Sequence, residues 1–127
     1  MLLDLTFLTP AALLALRIIV AIVFFSSGKS HVTKPKERGE SLGMSPSLTV
    51  VIGALEIIAA LMIAFGIFSQ IGALLIIFTM LGAIKMKLID WNTGFYAEKG
   101  YGWHYDVIFL AAALVILATN GGAYIII

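Results

Sequence analysis

The chain has 127 residues, 61% of them hydrophobic and 12% charged, with a formal net charge of +1. Soluble domains carry about 25% charged residues, so this composition, with a mean hydropathy of +1.09, indicates one integral membrane domain and excludes the basic surface that nucleic-acid binding needs. The chain has no cysteine, which excludes disulfides, thiolate metal sites and dithiol redox chemistry.

The apolar residues fall into four runs. The first lacks a basic start, carries Arg17 in its apolar centre and shows no small-residue cleavage pattern, so it reads as a retained helix rather than a signal peptide. It is expected from about Pro10 to Gly28, with Thr9 as N-cap, Pro10 at the first helical position and Gly28 closing it. The loop KSHVTKPKERGESLGMSP is the only extended polar stretch and is expected at or above the membrane interface. Ser45-Pro46 begins a second helix that ends at Gly66, and the short uncharged turn IFSQ makes a tight hairpin to a third, residues 70–88. Lys85 and Lys87 end that helix as residues able to snorkel to the headgroups. An aromatic loop follows, with Trp91, Phe95, Tyr96, Tyr101 and Trp103 in the composition of an interfacial belt. A fourth helix, residues 103–120, closes on Asn120-Gly121-Gly122, and the tail AYIII is too short to span again.

The expected fold is therefore an all-α membrane protein, a four-transmembrane-helix antiparallel bundle forming one domain over residues 1–127. Of eight Lys and Arg, seven lie in or beside the first and third loops and none at the termini or the middle turn. The positive-inside rule then puts those loops in the cytoplasm and both termini outside, in a multi-pass cell-membrane protein.

The residues that carry chemistry are the polar ones at membrane depth. Glu56 is the single carboxylate in GALEIIAALMIAFG, and a carboxylate at bilayer depth costs about 2.5–3.5 kcal/mol on insertion scales. Thr49, Gly53, Ala60 and Ala64 share its helical face and are small enough to let a neighbouring helix approach. Arg17 continues through Ala21, Phe24 and Gly28 to His31 on one face of the first helix. Counted from the inner helix ends at 1.5 Å per residue, Arg17 is about 16 Å deep and Glu56 about 14 Å, so the two are expected to pair. Such a pair has two readings: a purely structural ion pair, or the floor of a polar pocket opening toward the inner leaflet. In the second reading His31, Lys85, His104 and Asp106 form the rim; in the first, Lys85, Lys87 and His104 are ordinary interfacial residues and Asp106 complements the helix dipole. The two histidines lack metal-ligand spacing, no metal is expected, and no phosphate loop or nucleophile elbow is present.

The runs LRIIVAIVFFSSGKSHV, GALEIIAALMIAFGIFSQIGALLIIFTMLGAI and YDVIFLAAALVILATNGGAY together resemble the DoxX family of small four-helix membrane proteins. Arg17, Gly28, Lys29 and His31 match the family's first-helix pattern, Gly53, Glu56 and Gly66 its second, and Asp106 with Gly121 to Tyr124 its last, where glutamate is common. The chain departs at Lys85 or Lys87, where relatives often carry histidine, and at Ile125 to Ile127, which replace a Ser-Leu-Asp ending. One member type is the small subunit of a thiosulfate:quinone oxidoreductase, and others associate with membrane redox or oxidative-stress systems. The resemblance thus implies a subunit or accessory of a quinone-linked membrane redox system, with a quinone head group as the cofactor in the polar pocket. Electrons would come from a membrane or peripheral redox partner, since the chain shows no redox centre or catalytic motif. Two rival classes share the same residues: a non-catalytic assembly or scaffold subunit, and a small transporter or lipid-binding protein.

Overall fold

The computed structural model describes residues 3–96 and 102–127; Tyr101 of the expected aromatic belt lies outside them. The described residues form helices and connecting turns: α1 (Thr9–Thr33), α2 (Pro35–Leu42), α3 (Pro46–Phe65), α4 (Ser69–Lys85) continued by a π-helical turn over Met86–Asp90, and α5 (Trp103–Thr119). Three helical segments, Thr6–Thr33, Pro46–Phe65 and Ser69–Asp90, are long and apolar enough to cross a membrane; α5 is apolar but shorter.

Local chemistry accounts for most boundaries. Pro10 lies at the start of α1, where its missing N–H costs no hydrogen bond. Ser45 caps α3 by accepting from Leu48 N at 3.2 Å, and Gly66 ends that helix in the left-handed conformation, φ +69°. The α3–α4 turn is as tight as the uncharged IFSQ segment predicts, with α4 starting at Ser69.

Gly28 does not close α1, which runs five residues further, to Thr33. Gly28 serves instead as a packing position. A Cβ there would meet Gly53 O at 2.6 Å and Ile57 Cγ1 at 2.7 Å, and one on Gly53 would meet Gly28 O at 2.8 Å. The two backbones are in contact, and α1 and α3 run antiparallel, with Gly28 against Gly53 and Arg17 against Ile63 and Ala64. Most of the anticipated faces are buried: Arg17, Ala21, Phe24, Gly28 and His31 on α1, and Thr49, Gly53, Glu56 and Ala60 on α3, whereas Ala64 is half-buried.

The polar loop also differs from expectation. Eight of its residues form α2, which stands on the first turn of α3 with Gly39 close to Met44 O and the Thr49 hydroxyl. The C-terminal tail pairs with the α3–α4 turn: Ile126 N and Ile127 N donate to Gly66 O at 2.9 and 3.0 Å, and Phe68 N donates to Ile127 O at 2.9 Å. Val20, Phe24, Ala60, Ile63, Ile76 and Ile116, each at most 1% exposed, form the centre of the core.

Two glycine substitutions separate packing from propensity. Gly28→Ala overpacks the α1–α3 contact and should cost about 1–3 kcal/mol. Gly82→Ala, inside α4 with nothing within 4 Å of the added Cβ, should gain about 0.5–1 kcal/mol. Thermal unfolding of both variants in one detergent checks the opposite signs.

Candidate functional site

The structure separates the polar residues of the interior into two groups at opposite ends of the helices. At the end away from α2, Arg17 is 1% exposed. Its Nε donates to Ile63 O at 2.9 Å, Nη2 to Ala64 O at 3.2 Å, and Nη1 to Gly121 O at 3.4 Å and to Tyr124 O. The acceptors belong to the C-terminal ends of α3 and α5 and to the tail. Helix C-termini carry partial negative charge on unsatisfied carbonyls, so two of them replace a carboxylate as counterion.

The expected Arg17–Glu56 ion pair is therefore absent. Because α1 runs to Thr33, Arg17 is about 24 Å from its end rather than 16 Å, whereas Glu56 is about 15 Å from the start of α3. Side-chain direction widens the separation. Helical side chains lean toward their own N-terminus, so on antiparallel helices Arg17 leans away from the level of Glu56.

The same lean brings His31 and Glu56 together. His31 Nδ1 is 2.8 Å from Ser27 O and 3.4 Å from Glu56 Oε1, and the two side chains are 7% and 3% exposed. Ser27 and Arg38 line the same cavity as Glu56. A second pair forms between α5 and the π-helical turn: Lys87 Nζ is 2.8 Å from Asp106 Oδ2, 3.4 Å from Gly102 O and 5.6 Å from the Tyr105 ring centroid. Lys87 is thus turned inward and does not snorkel.

Both pairs line one cavity of about 1200 Å³ at the α2 side, between α1, α3, α4 and α5 and beneath α2. Its wall includes Arg38, whose buried Nε has no hydrogen-bond partner among the described residues, and hydroxyls of Ser27 and Ser30. Ile22 and Phe78 also line it and are 58% and 69% exposed, so the cavity continues to the apolar flank of the protein.

Of the six residues expected at a site, His31, Glu56, Lys85 and Asp106 line the cavity. Lys85 is at its exposed edge, 3.9 Å from Asp90. Arg17 belongs to the other end. His104 is outside the cavity wall: its Nδ1 is 2.6 Å from Phe95 O, and its ring packs against Phe95 and Tyr96. Lys87, Arg38 and Ser27 are the residues that sequence reasoning left out. For Lys87 the signal was the unmatched Asp106 at the same end, and for Ser27 it was its place one helical turn before His31; for Arg38 it was absent, since its place depends on the polar loop folding back. Among the described residues no three His, Asp or Glu side chains gather as a metal site.

Long apolar helices with polar side chains paired inside define a multi-pass integral membrane protein in contact with lipid. The family model described as DoxX matches residues 12–89, and the chain belongs to the DoxX family. No curated protein and no solved structure matches the chain.

Two mutant cycles test this placement. Lys87→Met should cost about 3–5 kcal/mol by stranding the buried Asp106 carboxylate, and adding Asp106→Asn should restore much of it. Arg17→Met and Glu56→Gln should add within about 0.3–0.5 kcal/mol, as distant sites do. Thermal stability of the six variants in one detergent reads both couplings; a large Arg17–Glu56 term contradicts the separation.

Proposed function

We propose that the chain is a small integral membrane subunit or accessory of a quinone-linked redox system, and that its α2-side cavity holds a quinone-type head group. In this reading α5 is the fourth span of an antiparallel four-helix bundle; its 17 residues reach about 25 Å, at the short end of spanning helices. Six Lys and Arg among the described residues, Lys29, Lys34, Lys36, Arg38, Lys85 and Lys87, are on the α2 side, which puts that side in the cytoplasm and both termini outside.

What supports the reading is the pairing of two buried acid–base couples in one cavity that also runs out between apolar residues. The fit is chemical. A quinone ring needs hydrogen-bond partners at two opposed oxygens, and its isoprenoid tail needs an apolar exit, which Ile22, Val23, Phe78 and Met80 supply. His31 Nδ1 is committed to Ser27 O and Glu56, which leaves Nε2 as the ring nitrogen for a ligand oxygen. Glu56 orients the imidazole and balances its charge when it takes a proton. Lys87, held by Asp106, presents ammonium protons to the second oxygen. The bound quinone would supply the electron chemistry, in exchange with a partner subunit. The volume, large against common small-molecule sites of about 300–1000 Å³, leaves room for head group and first tail units.

Trp91 lines the cavity and provides a readout. A short-chain quinone titrated into the detergent-solubilised protein should quench tryptophan fluorescence saturably. His31→Gln and Asp106→Asn should each weaken binding about tenfold, the value of one good hydrogen bond, while His104→Phe should leave it unchanged. Absence of saturable quenching, or equal loss in His104→Phe, contradicts the reading.

A further inference from the structure

We infer that the cavity exchanges protons with the aqueous phase on the α2 side alone, so that the protein forms a one-sided proton well. The inference rests on where polarity stops. The buried polar side chains among the described residues are Arg17, His31, Thr49, Glu56, Ser69 and Asp106. Four of them belong to the α2 end; Arg17 and Ser69 belong to the other. Between Glu56 and the level of Ala64, where Arg17 bonds, α3 climbs about 12 Å. Over that height the centre is filled by Val20, Phe24, Ala60, Ile63, Ile76 and Ile116. Thr79, half-buried on α4, commits its hydroxyl to Leu75 O at 2.9 Å.

A proton crossing that layer would need a titratable group or a chain of water. A buried water needs two to four polar partners, and the layer offers none. Arg17 closes the far end a second time, because its protons are bound by four carbonyls and a guanidinium does not deprotonate in proteins. On the α2 side every surrounding element brings an exchangeable or charged group: His31 from α1, Arg38 from α2, Glu56 from α3, Lys85 and Lys87 from α4 and its extension, and Asp106 from α5. The opening to the flank between Ile22 and Phe78 faces lipid and supplies no protons. For the head group of the preceding reading, which this inference extends, protons released or taken up would come from and return to the α2 side only, giving any partner reaction a fixed direction.

The chain has no cysteine, so single cysteines report cleanly. Ser30→Cys and Val23→Cys both place a thiol on the cavity wall; the second stands in if the first misfolds. In vesicles free of permeant buffer, Lys36→Cys and Ala123→Cys labelled with a membrane-impermeant maleimide establish which face is outward. The cavity thiol is then labelled with neutral N-ethylmaleimide while one bath at a time is acidified by one pH unit. Only the thiolate reacts, so the rate follows local pH about tenfold per unit below the thiol pKa. Acidifying the α2-side bath should slow labelling about tenfold, and acidifying the opposite bath should leave it unchanged. Dependence on the opposite bath, on both, or on neither overturns the inference. No quinone is present, so the result stands apart from the quinone titration.

Discussion

Between Gly28 and Gly53 the α1 and α3 backbones meet with no side chain separating them, and the arrangement of both polar ends follows from that contact. A Cβ on either glycine would lie 2.6–2.8 Å from the other's carbonyl oxygen. The contact fixes an antiparallel register, and the lean of helical side chains toward their own N-termini does the rest. His31 and Glu56, one turn beyond the crossing on their respective helices, lean into each other. Arg17 leans out, to the level where α3 ends.

Each buried charge is then compensated by what its position provides. At the α2 end, carboxylates meet a histidine and a lysine. At the other end Arg17 pairs with no carboxylate among the described residues, and the converging C-termini of α3 and α5 supply carbonyl oxygens instead. An isolated ion at bilayer depth is costly, and a guanidinium with its planar fork of donors is suited to several carbonyls at once. This clamp also holds the tail, because Gly121 and Tyr124 are among its acceptors. Structural charge and cavity chemistry are thereby kept apart by an apolar layer.

Much of the helical plan was legible in the sequence, because spans are written as apolar runs and their ends as Ser45-Pro46, Gly66 and Asn120-Gly121. The buried faces of α1 and α3 followed from helical spacing alone. What misled was Gly28. A glycine beside a polar run reads as a helix end, yet here it is a site of close backbone approach, and placing the end there put Arg17 too shallow by five residues. That single shift created the expected Arg17–Glu56 pair and hid the His31–Glu56 one. Lys87 and His104 exchanged roles for a different reason. The π-helical turn at Met86–Asp90 rotates Lys87 inward toward Asp106, and Phe95 O draws His104 away. Neither event has a periodicity signal. The role of Arg38 depended on α2 folding over the cavity, which a polar loop does not announce.

The proposed quinone site assigns ligand binding to the α2 end and a structural role to the Arg17 end. Photoaffinity labelling with a short-chain azidoquinone, followed by peptide mapping, measures this directly. Crosslinks within residues 22–44 and 78–93, around His31, Arg38 and Lys87, are the predicted result. Crosslinks concentrated in residues 9–17, 63–70 or 117–127, around the Arg17 clamp, would contradict it.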